Sequence, residues 1–142
     1  MTILPVHRFT DETTKAPKGK KAAVRALQAW QFLIAKASRR EIIRYEHLRL
    51  VMGYRNDRPL STILGHVMHL CSEWRLPPLT IIVVNQDGTP GPGFTEVPRA
   101  EFDQERERVY DQDWFSIVPP SIEQFHQAWV NAHGGPPPDE EV

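Results

Sequence analysis

Residues 44–94 read RYEHLRLVMGYRNDRPLSTILGHVMHLCSEWRLPPLTIIVVNQDGTPGPGF, and their punctuation decides the fold. Tyr45 to Met52 predicts a short helix, and Gly53 stands where a helix closes in the left-handed conformation. Asn56-Asp57-Arg58-Pro59 is turn chemistry that also opens a helix, since proline is tolerated in a first turn. This second helix is expected to run to about Trp74 and to stop before Pro77-Pro78. Ile63, Leu64, Val67, Met68, Cys71 and Trp74 line one side of it, while Thr62, Gly65, His66, His69 and Glu73 form its expected open face. Thr80 to Val84 is β-branched without polar alternation, which predicts a strand buried on both sides. Asn85-Gln86-Asp87-Gly88 is hairpin-turn chemistry, and the prolines at 90 and 92 make residues 89–94 a wing or irregular loop. Helix, turn, helix and glycine-rich hairpin, in that order, is the layout of a winged helix-turn-helix. Such modules place one helix against DNA.

Working outward, Val24, Leu27, Trp30, Ile34 and Ala37 recur at three- and four-residue steps and predict a first helix over residues 20–37. Ser38 to Glu41 has capping-box spacing, but the β-branched Ile42-Ile43 favours a turn and a short extended stretch to Arg44. Toward the C-terminus a helix is expected over residues 98–110, with Phe102 and Val109 inward. Another follows Pro119-Pro120, where Ser121 and Gln124 stand at capping-box spacing, and His133-Gly134 ends it. Ile122, Phe125 and Trp129 supply its apolar stripe. The fold class is therefore mixed α/β but mainly α: a winged helix-turn-helix core with a small β-hairpin and added C-terminal helices. Residues 1–19 read as a flexible arm, 20–133 as one domain, and 134–142 as a disordered acidic tail.

The chain of 142 residues can bury a real core. No apolar run approaches the roughly 18 residues of a membrane helix, and Met1 to Pro5 is too interrupted for a signal peptide. Cys71 is the single cysteine, which fits a reducing compartment; no membrane partner and a cytoplasmic location are expected. The net charge of −1 hides an asymmetry. Residues 15–58 hold twelve Lys/Arg against three acids, and residues 76–142 hold three Arg against twelve acids. A basic half suits phosphate binding through counterion release. Two oppositely charged faces attracting each other within one fold would account for the same pattern.

Arg39, Arg40, Arg44, Arg49, Arg55 and Arg58 cluster around the helix-turn-helix entry, where positioning on a phosphate backbone would use them. On the second helix Thr62, His66 and His69 are the candidate contacts, a set poor in the Arg, Lys, Asn and Gln that read base edges. His66-x-x-His69-x-Cys71 invites a metal reading, but Cys71 falls on the apolar side and no third ligand lies nearby. Glu101, Asp103, Glu105 and Glu107 alternate with Arg106 and Arg108, as on a solvated helix with pairs such as Glu105–Arg108. No phosphate loop, nucleophile elbow or paired-cysteine motif occurs, so no cofactor is expected.

Tyr45, Leu48 and Gly53, then Leu64, Gly65 and Met68, then Val83-Val84, Gly88 and Gly91-Pro92-Gly93-Phe94 follow a known order of motifs. The chain resembles the DNA-binding domain of alkylguanine-DNA alkyltransferases and their non-enzymatic alkyltransferase-like relatives, over residues 22–94. The resemblance implies a DNA-binding winged helix, with Tyr45 near a phosphate and the second helix facing the groove. It also locates the differences. Thr80 stands at the position of the reactive cysteine, and Ile81-Ile82 replace the His-Arg that follows it. A threonine without an adjacent base is a poor nucleophile, so alkyl transfer is not expected. The arginine that intrudes into the duplex falls at Thr62, with Arg58 one turn upstream. The reading is non-catalytic binding of nucleic acid, duplex DNA above all, by backbone or shape. The alternative is a protein partner met through the second helix or the acidic C-terminal half.

Overall fold

The structure, a computed structural model, describes residues 19–91, 94 and 97–138. The expected arm up to residue 18, the wing positions 92–93 and 95–96, and the end of the acidic tail at 139–142 lie outside the described residues. The described residues are mainly helical: α1 (Lys21–Ser38), α2 (Tyr45–Met52), α3 (Arg58–Glu73), α4 (Phe102–Asp111) and α5 (Ile122–His133), with two-residue strands β1 (Ile43–Arg44) and β2 (Val83–Val84).

α1 presents Ala22, Ala23, Ala26, Ala29, Trp30, Leu33, Ile34 and Ala37 to the interior. Five alanines on that face let α3 and α5 approach closely, and the bulk is concentrated at Trp30. Its ring meets Trp114 edge-on at 5.5 Å and Phe125 at 6.0 Å, so α1, the Trp114–Ser116 turn and α5 converge on one aromatic node. Edge-to-face pairs of this kind each add about 0.5–1.5 kcal/mol beyond the area they bury. The Trp114 indole N–H donates to the Val109 carbonyl at 2.7 Å, so the node carries no orphaned donor there.

The junctions follow local chemistry. Gly53, at φ +81°, closes α2, and Tyr54 N–H reaches back to the Arg49 carbonyl at 3.0 Å. Arg25 of α1 grips that corner, donating to Tyr54 Oη at 2.8 Å and to the Met52 carbonyl while lying over the Tyr54 ring. Ser121 and Gln124 form the expected capping box at the start of α5, and Gly134, at φ +75°, closes its end.

Two expectations are corrected. Residues 80–84 do not form one strand: Leu79–Ile82 is a 3-10 turn, and only Val83–Val84 is extended. The run is buried throughout, as predicted, but burial is what β-branched side chains require and a ladder is not. Pro77-Pro78 sets up the turn, with Ile81 N–H on the Pro78 carbonyl, and β1 is only two residues long. The second correction concerns the small hairpin. The sheet is a parallel pair, Ile43 opposite Val83 and Arg44 opposite Val84. The Asn85–Gly88 turn does form, with Gly88 at φ +84° and its N–H on the Asn85 carbonyl at 3.0 Å. Among the described residues its return limb makes one bridge, Val84–Pro90, beside the Asn85 N–H bond to the Thr89 carbonyl at 2.8 Å, and proline has no N–H to extend a ladder.

Candidate functional site

A cleft of about 320 Å³ opens between α3, α5 and the chain from Thr80 to Phe94. Tyr45, Phe94 and Trp129 supply aromatic surface; Asp57, Ser61, His69, Thr80, Asn85 and His133 supply polar groups. Each comes from a different constraint. Tyr45 is the first residue of α2, held beside β2 by the parallel pairing. Its hydroxyl is hydrogen-bonded to the Gly91 backbone, and a Cβ at residue 91 would stand 2.1 Å from that oxygen. Burial, seconded by the Asp57 carboxylate, pushes the Tyr45 phenol above its ordinary range. Thr80 is 6% exposed, and its hydroxyl has no hydrogen-bond partner among the described residues. A buried hydroxyl left without a partner carries a desolvation cost.

α5 sets the opposite wall. Trp129 lies against Gly65, where a Cβ would meet the indole at 2.7 Å, so only glycine admits the ring. Its indole stacks on His66 at 4.7 Å and 18° and on His133 at 3.8 Å and 14°. His66 Nδ1 faces the Thr62 carbonyl at 2.7 Å, a contact in which the imidazole must donate. His69 Nε2 lies 3.0 Å from His133 Nε2. Burial lowers the His69 pKa, the His133 ring lowers it further, and the Glu73 carboxylate opposes both.

This wall corrects the expected open face. Thr62 and His66, predicted as exposed contacts, are buried, and Gly65 lies beneath Trp129. The apolar stripe of α5 needed a partner, and the small Gly65 made that face of α3 the place where it could seat. Of the predicted α3 contacts only His69 reaches a cavity, joined there by Ser61 of the first turn. The His66-x-x-His69-x-Cys71 grouping is dispersed as well, since Cys71 and His66 are both buried and His69 turns to His133.

The arginines divide. Arg40 is held by Glu107 and by Asp111 at 3.1 Å, 5.0 Å over the Tyr110 ring. The Glu107 hydrogen bond raises its pKa. Arg49 bridges the Tyr54 and Arg55 carbonyls and pairs with Asp57 at 3.4 Å, so it fastens the α2–α3 turn. Arg39 pairs with Glu41 at 3.4 Å on an exposed surface. The guanidinium groups of Arg44 and Arg55 are exposed and have no partner among the described residues; Arg58, also exposed, opens α3. A second hollow adjoins the cleft, lined by Arg44, Glu46, Arg49 and Gln86, and it shares Tyr45, Asp57 and Asn85 with the first.

The candidate wall residues Trp129 and His133 carry no functional signal in the sequence. Trp129 belongs to an apolar stripe and His133 to a helix end, and 64 residues separate His133 from its partner His69. On the acidic helix, Glu105 pairs with Arg108 at 2.8 Å as predicted, and Glu107 turns to Arg40. Among the described residues no helix is long and apolar enough to cross a membrane. Comparison with protein-family models, curated proteins and solved structures found no match.

Proposed function

We propose that the protein binds nucleic acid without catalysis, on a winged helix-turn-helix scaffold in which α2 and α3 are the helix pair and residues 85–94 the wing. The observation that carries this reading is the continuity of the two hollows. One has aromatic walls and an unsatisfied buried hydroxyl, the other holds the Arg44 side chain, and they meet at Tyr45, Asp57 and Asn85. A nucleotide has the matching parts, a planar heteroaromatic ring with a hydrogen-bonding edge and a phosphate at one remove. Because α5 covers the body of α3, contact falls to its first turn, to Arg44 and to Arg55, which fits backbone and shape recognition better than groove reading. A protein partner is the second reading, favoured by Phe115 and Val118, exposed at 67% and 82% in the segment between α4 and α5.

Fluorescence anisotropy with a labelled duplex, with and without one unpaired base, tests both readings across a salt series. Binding is expected to weaken with salt and to be tighter for the unpaired-base duplex. Arg44→Ala and Arg55→Ala should each reduce the log–log salt slope by about 0.9. Absence of binding at low salt, or slopes unmoved by either change, removes the nucleic-acid reading in favour of the protein partner.

A further inference from the structure

We propose that His69 and His133 form the protein half of a binding site for a divalent transition ion of the zinc type, with its remaining coordination positions open to the cleft. The two Nε2 atoms face each other at 3.0 Å, and two neutral imidazoles meeting in this way share one proton. A zinc ion bound tetrahedrally at about 2.0–2.1 Å holds two imidazole nitrogens about 3.3 Å apart. As the ion enters, the proton between the rings passes to the other nitrogen of its own imidazole, both ligands stay neutral, and the pair opens by only a few tenths of an ångström. That adjustment falls on the last residue of α5, directly before the left-handed Gly134, where the helix is freest to yield.

The donors are set by packing. The His133 ring lies on Trp129, Trp129 lies on His66, and His66 is tied to the Thr62 carbonyl, so a column of three rings anchors one ligand to α3. Orientation of a ligating imidazole by surrounding groups is a large part of its affinity. Glu73, one turn beyond His69, adds negative potential and is itself held by Asn131 Nδ2 at 2.7 Å. No third His, Cys, Asp or Glu joins the pair among the described residues, so water or a donor entering the cleft completes the shell. That is the pattern of an open site, and imidazole donors select zinc, nickel and copper over magnesium and calcium. The inference stands apart from the nucleic-acid reading, because it needs neither Arg44 nor the second hollow.

Isothermal titration of the tag-free full chain with zinc chloride tests it, with magnesium chloride as the control and a thermal-shift assay alongside. One zinc per chain and a raised melting temperature are expected, with no response to magnesium. Loss of an outer-shell partner alone weakens metal sites about 10- to 100-fold, so His69→Gln and His133→Asn should each weaken zinc binding by at least about tenfold. His47→Gln, on the exposed side of α2, should leave it intact. Because His133 is exposed, its variant is expected to keep the helical circular-dichroism spectrum, and His69→Gln provides a second reading of the same site. Failure of zinc to bind, or wild-type affinity in either variant, overturns the proposal.

Discussion

Gly65 decides more about the candidate site than any charged residue. A side chain there would drive into an indole clamped between two imidazoles, a neighbour with little freedom to give. Gly65→Ala is expected to destabilise the fold by about 1–3 kcal/mol, the usual range for added bulk in a packed contact. Chemical denaturation measures it, and a neutral result would mean that Trp129 is not seated as described. His69 gives a second expectation at this scale. Its pKa is depressed in the folded chain, so the unfolded chain takes up the proton more readily. The stability this group contributes is present above the unfolded histidine value of about 6.5 and is lost as pH falls from there through the lower folded value. Melting curves between about pH 8 and pH 5 should therefore drop at the acid end, and His69→Gln should flatten that drop.

Among the elements, α5 does most to shape the candidate site. It covers the expected open face of α3, carries one wall of the cleft, and adds Phe125 to the aromatic node around Trp30. Its start is fixed locally by Ser121, whose hydroxyl accepts from Gln124 N–H at 3.1 Å while the Gln124 side chain accepts from Ser121 N–H at 2.8 Å. Ser121→Ala should cost about 1 kcal/mol and lower the melting temperature by a few degrees. An unchanged transition would mean that the cap contributes nothing net. The contrast with residues 79–84 is instructive. A cap is a contact between residues three apart, so its chemistry is legible in Ser121 and Gln124 alone. A strand needs a partner, and the two-residue β1 leaves Leu79–Ile82 to satisfy its backbone in a 3-10 turn.

For the whole molecule, the opposed charges of the two halves are partly spent on each other. Arg40 meets Glu107 and Asp111 of α4, and Lys20 meets Glu123 of α5. Arg40→Ala should accordingly leave the salt slope of duplex binding unchanged while Arg44→Ala reduces it, a distinction the anisotropy series reads directly. Charge counts over the linear sequence could not make that division, because it depends on which arginine finds a carboxylate some 70 residues away. The helices, their caps and the mainly α character were legible in the sequence, since periodicity, Gly53, Gly134 and the Ser121 box act over three or four residues. The reach of α2 and α3, and the turn at Gly88, followed from equally local chemistry. Tertiary packing alone decided the rest: that β1 pairs with β2 in parallel, that α5 seats on Gly65, and that His69 meets His133. The physical reason is one of range. Backbone hydrogen bonds and caps are fixed by near neighbours, whereas which faces are buried depends on which distant surfaces fit together.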